Sequence, residues 1–222
     1  VKVLAIRLSS KKTPDRKKNL IAYFTPDATV AEQYRSIKAN IHFTCNIKNI
    51  RTLLITSPND GDGKSMTATN LAVSMAQQSE RVLLIDANLR SPTSHLIFKI
   101  SNDTGLTSIL NGMATLEEAI HKTEIGRLDV LPSGPFTFFP SEILASESFA
   151  KLLVNAQRIY DYVLIDSPSV LEVADTKIIA NQCEGVVLVL NLRKTKLEKV
   201  KEVKRVLEFA NTQIAGVIFN NK

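Results

Sequence analysis

The residues with the most chemistry in this 222-residue chain lie in Ser57-Pro58-Asn59-Asp60-Gly61-Asp62-Gly63-Lys64-Ser65, between an apolar run and a helical pattern. Glycines let a backbone curl until successive N–H groups point at phosphate oxygens, and a following helix adds its positive end. A lysine then reaches the terminal phosphates and a serine hydroxyl ligates Mg²⁺. The segment therefore reads as a Walker A loop for ATP, with Asn59, Asp60, Gly61, Asp62, Gly63, Lys64, Ser65 and Met66 as expected contacts. Pro58 stands where the usual string has its first glycine, so the match is imperfect.

Asp86 and Asp166 each close a short apolar run, Val82-Leu83-Leu84-Ile85 and Tyr162-Val163-Leu164-Ile165. Alone, either aspartate also reads as a helix N-cap or a turn residue. Beside a phosphate loop the two make a metal and phosphate site, with Asp166 holding Mg²⁺ through a water. Lys64, Asp86 and Asp166 are the candidate catalytic set; Ser65, Asp86 and Asp166 are the candidate metal ligands.

Such residues need a scaffold that brings strand ends to one rim. Apolar runs at 53–56, 82–86, 128–131, 162–166, 185–190 and 214–219 alternate with helical stretches, notably 64–78, 148–158 and 197–209. Continuous apolar strands between helices predict an α/β fold, a mostly parallel central sheet with helices on both faces. Ligands of such sheets bind at the carboxyl ends of the strands. An amphipathic helix is expected over 29–43, with Glu32, Arg35 and Lys38 on one face; a plain i,i+3 Glu–Arg pair accounts for two of them.

The charge of +6 is uneven: Lys11, Lys12, Arg16, Lys17 and Lys18 crowd a segment of few apolar residues. Residues 1–28 thus read as a basic leader, drawn to an anionic surface or merely solvated, before one domain at 29–222. Nucleic acid is disfavoured, because the cations are not interleaved with aromatics. No apolar run approaches the roughly 18–20 residues that cross a bilayer. Cys45 and Cys183 match no metal or CxxC spacing, so free thiols are expected. Phe136, Phe138 and Phe139 read as a loop packed on the core, with a docking patch as the alternative.

Several further stretches stand in a familiar order: Glu32-Gln33-Tyr34-Arg35-Ser36-Ile37-Lys38, Leu84-Ile85-Asp86-Ala87-Asn88-Leu89-Arg90-Ser91-Pro92, Gly105-Leu106-Thr107, Leu131-Pro132-Ser133-Gly134-Pro135, Pro140-Ser141-Glu142-Ile143-Leu144 and Val163-Leu164-Ile165-Asp166-Ser167-Pro168. With the phosphate loop they resemble the bacterial tyrosine kinases of capsule and exopolysaccharide synthesis, P-loop proteins related to the partition and septum-positioning ATPases. The likeness spans about Glu32 to Asn220. It implies Walker A at 61–65, Walker A′ at 83–90, Walker B at 163–166, and transfer of the γ-phosphoryl of MgATP to tyrosine. It also implies ring contacts through Glu32, Arg35 and Lys38, and an adenine-edge role for Asn220, where a C-terminal turn role is the alternative. The partners it implies are a membrane-anchored activator, further copies of the chain and a phosphotyrosine phosphatase. The location it implies is the cytoplasm, at the inner face of the membrane.

Three departures matter. Asn59 replaces the signature lysine of the related ATPases, which favours the kinase branch and disfavours a nucleic-acid partition ATPase. Asn88 replaces the second aspartate of Walker A′, and asparagine neither takes a proton nor supplies charge. Lys38 replaces an arginine and lacks its bidentate fork. Asn88 therefore keeps a second reading open, an ATP-binding switch that docks a membrane partner. No tyrosine-rich tail is present before Lys222, leaving Tyr23 and Tyr34 as candidate acceptors and Tyr160 and Tyr162 as packed residues. Arg90 reads as a phosphate or subunit contact or a surface residue, and Asp175 as an outer metal residue or a helix cap.

Overall fold

The computed structural model describes residues 3–5 and 19–221, so the cluster of Lys11, Lys12, Arg16, Lys17 and Lys18 lies outside the described residues. One sheet runs in the order β1-β8-β7-β2-β6-β3-β5-β4. Its strands are β1 (Val3–Ala5), β2 (Thr52–Thr56), β3 (Val82–Asp86), β4 (His121–Lys122), β5 (Leu128–Leu131), β6 (Tyr162–Asp166), β7 (Gly185–Asn191) and β8 (Ile214–Asn220). Every described pairing is parallel except β4 with β5. The parallel α/β expectation holds, and the sheet gains two short edge strands that have no periodic signal.

The apolar runs of β2, β3 and β6 are buried on both faces. Side chains alternate across a strand, so Leu53 and Ile55 enter one core while Leu54 enters the other. The first core lies under α1 (Ile21–Phe24), α2 (Thr29–Lys48) and α3 (Lys64–Ala76). The second lies under α8 (Glu147–Ile159), α9 (Asp175–Gln182) and α10 (Leu197–Phe209). Phe149, Leu152, Leu153 and Ala156 are the buried stripe of α8, at the spacing of one helix face. α3 is buried almost all round, and Ala68, Ala72, Ser74 and Ala76 let its neighbours approach.

Four shorter helices, α4 (Ser94–Phe98), α5 (Leu106–Leu110), α6 (Leu116–Ala119) and α7 (Pro140–Leu144), shape the rim. Here two of the resembling stretches meet. Leu106 N–H donates to Pro132 O at 2.8 Å and Thr107 N–H to Ser133 O at 2.9 Å. A Cβ on Gly105 would lie 2.3 Å from Gly134 N, so the close approach requires glycine.

The boundary of the leader needs correction. β1 pairs with β8, and 19–24 packs on the domain: Leu20 is fully buried, and the Asn70 side chain accepts from Ala22 N–H and donates to Asn19 O. Only four residues make α1, too few to carry a period. A second correction concerns Phe136, Phe138 and Phe139, which are exposed rather than packed on the core. Phe136 and Phe138 stack edge to face on each other. Both cysteines are free and buried, as expected.

Candidate active site

β2 delivers the phosphate loop to the centre of the rim, and Gly63 caps α3 in the left-handed region, φ 92°. A Cβ there would lie 2.2 Å from the Asn220 amide nitrogen, so both conformation and space exclude other residues. That nitrogen donates to Asp62 O at 2.8 Å. Asn220 thus braces the loop from the end of β8. Asp62 is buried and turns inward, where its carboxylate accepts from the backbone and side-chain nitrogens of Asn59 at 3.0 and 3.2 Å. These bonds give the two residues a loop-shaping role.

Lys64 is buried, and its ammonium pairs at 2.8 Å with Asp60, whose side chain is 80% exposed. The hydrogen bond from Lys64, with its charge, holds the Asp60 carboxyl below its ordinary range. Asp60 N–H donates to Glu172, and Lys199 donates to the Asn59 side-chain oxygen. No motif marked Glu172 or Lys199.

Asp86 and Asp166 stand side by side, in register on β3 and β6. Burial pushes both carboxyls up. For Asp166, the charge of Asp86 raises it further, while the Ser65 hydroxyl and Lys64 act in the opposite sense. Asp86 accepts from the backbone N–H groups of Asn88, Thr93 and Ser94, so it also fixes the turn into α4. Asp166 Oδ1 is buried without a hydrogen-bond partner among the described residues. Asn88 is 7% exposed, and its side-chain oxygen accepts from Ser91 N–H at 3.3 Å.

Arg90 grips Asp175 through Nε and a terminal nitrogen, at 2.8 and 3.1 Å. Asp175 is fully buried and also accepts from Ser141 Oγ. Burial raises its carboxyl, but the Arg90 and Ser141 hydrogen bonds outweigh it and the balance is a lowered value. Arg90 therefore ties Walker A′ to α9, and Ser141 adds α7.

The expected ring face changes too. Glu32 and Arg35 pair on an exposed surface, while Lys38 is buried and donates to Gln78 at 2.6 Å. Lys38 is spent within the subunit, because its side of α2 faces α3. Tyr34 is 1% exposed, and burial pushes its hydroxyl well above the ordinary range. It is a core residue, contrary to its reading as an acceptor. Tyr23 is partly buried against the same core. Tyr160 and Tyr162 are buried as expected, bonded to Asp129 and His42.

A curled loop opening a buried helix, at the carboxyl rim of a parallel sheet and beside paired strand-end carboxylates, is the nucleotide site of a P-loop protein. A family model described as an AAA domain matches residues 50–216. The chain is 41% identical over 206 residues to the tyrosine-protein kinase YwqD of Bacillus subtilis, covering 93% of this chain and 87% of that protein. It superposes on the kinase domain of the Escherichia coli tyrosine kinase ETK with TM-score 0.91 and 30% identity, covering 99% and 90% of the two chains. The septum-site protein MinD from Pyrococcus horikoshii, solved with Mg-ADP, gives TM-score 0.66 at 26% identity over 76% of this chain and 69% of that one. The chain belongs to the bacterial tyrosine-protein kinases, within the P-loop nucleotide-binding class.

Proposed function

We propose that this chain transfers the γ-phosphoryl of MgATP to a tyrosine hydroxyl, in a system that governs synthesis or export of a capsular or exopolysaccharide. The observation that supports it most is the pair Asp86 and Asp166, side by side at a loop whose lysine is buried. Two adjacent buried carboxylates repel each other, and the free Asp166 Oδ1 suits a divalent cation. Asp166 and the Ser65 hydroxyl would hold Mg²⁺, with Asp86 adding charge and orienting the turn. When bound, Mg²⁺ neutralises phosphate charge and polarises the transferred group.

The chain's own residues prepare the rest. Lys64 leaves Asp60 for the phosphates at little cost, since a pair with so exposed a partner contributes at most about 1 kcal/mol. Gly61 and Gly63 let the loop N–H groups converge on the phosphate oxygens. Asn220 and Asp62 hold that curl in place, so little reorganisation accompanies binding.

No helix among the described residues is long and apolar enough to cross a membrane. Recruitment to the inner membrane face by a membrane-anchored activator therefore fits the reading. Glu32 and Arg35 are its contacts between copies in a ring, and a phosphotyrosine phosphatase opposes it. Asn88 favours a second reading, a switch that binds ATP without useful transfer: its side chain serves the turn and offers no base.

Incubation of the chain with labelled MgATP, the activator's cytoplasmic tail and a tyrosine-rich peptide separates the two. Phosphotyrosine is expected. Its absence beside tight nucleotide binding leaves the switch. Asn88→Asp keeps an acceptor for Ser91 N–H and adds a carboxylate, so the kinase reading expects transfer to rise about tenfold.

A further inference from the structure

The start of α10 is built against ordinary helix preference. Anionic side chains suit a helix N-terminus and cations do not. Yet the residue before α10 is Lys196 and its third residue is Lys199, with Arg193 and Lys194 just upstream and Glu198 the single acid in 193–199. No side chain caps the first turn. The loop after β7 is fastened to the phosphate loop: Leu192 N–H donates to Asn220 O at 2.9 Å, and the Asn220 amide donates to Asp62 O.

Lys199 crosses that junction. Its ammonium donates to the Asn59 side-chain oxygen, which faces it because the Asn59 nitrogens are held by buried Asp62. Asn59 is neutral, and no carboxylate lies within ion-pair distance of Lys199 among the described residues. The charge of Lys64 is met by Asp60; that of the exposed Lys199 has no ion-pair partner among the described residues and meets only the Asn59 oxygen.

We propose that Lys199 is a second cationic contact for the phosphate chain of a bound nucleotide, supplied by α10 to a loop that carries Asn59. The assignment rests on the nucleotide-binding reading of the site. It makes the excess cations at the start of α10 part of that site, with the uncapped first turn adding its N–H groups. The ligand it favours is a nucleoside di- or triphosphate over a monophosphate.

Calorimetric titration of MgATP and AMP into the parent chain, Lys199→Met, Lys199→Arg, Lys204→Met and Lys64→Met tests it. Lys204 lies on the same helix and pairs with Glu208, so it controls for a general loss of charge. Lys199→Met is expected to weaken MgATP about five- to tenfold, the scale of one charge-assisted contact at a partly solvated site. AMP affinity stays at the parent value, Lys199→Arg retains most MgATP affinity, and Lys204→Met matches the parent. Parental MgATP affinity in Lys199→Met overturns the inference, as does an equal loss for AMP and MgATP, which marks a merely structural lysine. Lys64→Met binding MgATP like the parent overturns the phosphate-loop reading itself.

Discussion

Paired side chains at this site do two kinds of work, and exposure separates them. Lys64–Asp60 joins a buried ammonium to an exposed carboxylate and is built to open. Arg90–Asp175 joins a half-exposed guanidinium to a fully buried carboxylate and is built to stay shut. Asp175→Asn should lower stability by about 1–3 kcal/mol, less than for an enclosed pair because Arg90 is 45% exposed. The Asp175 carboxyl is lowered on balance, so its contribution is present above the ordinary carboxylate range and lost as pH falls through the lowered value. Melting curves of parent and variant should differ at neutral pH and converge in acid. Arg90 and Asp175 were each legible as residues of interest, but their bond spans 85 positions and no local spacing encodes it. The phosphate loop was legible because its chemistry is local, from Gly61 to Ser65.

Elements were legible where burial imposes a pattern over several residues. The bounds of β3 and β6 follow the apolar runs themselves, because strands covered on both faces carry apolar residues almost continuously. α1 and β1 were not, since a segment of three or four residues has no period. Helical spacing likewise identifies α2, but Lys38 adjoins Ile37 and Ile41 on its buried side rather than sharing the exposed face of Glu32 and Arg35. Asn70 on α3 now defines how 19–24 docks, with one bond from Ala22 N–H and one to Asn19 O. Asn70→Ala leaves Ala22 N–H without its acceptor and should cost about 1–3 kcal/mol. Limited proteolysis should then cut near 19–28 sooner than in the parent, while nucleotide affinity holds.

At the scale of the whole molecule, the sheet gathers every functional strand end on one rim, while the Glu32–Arg35 pair of α2 stands on an exposed surface. An exposed pair contributes at most about 1 kcal/mol to the subunit itself. Under the proposed contact between copies, Arg35→Ala should shift the assembly towards monomer in sedimentation or light scattering, with the monomer's melting temperature nearly unchanged. An unchanged assembly would remove Arg35 from the interface. The central claim joins loop and carboxylates into one phosphoryl-transfer site, and the rate of phosphotyrosine formation from labelled MgATP tests it most directly. With the activator tail and a tyrosine-rich acceptor present, the parent should transfer phosphate and Lys64→Met should lose about 100-fold or more of that rate. Transfer at the parental rate by Lys64→Met would contradict the account.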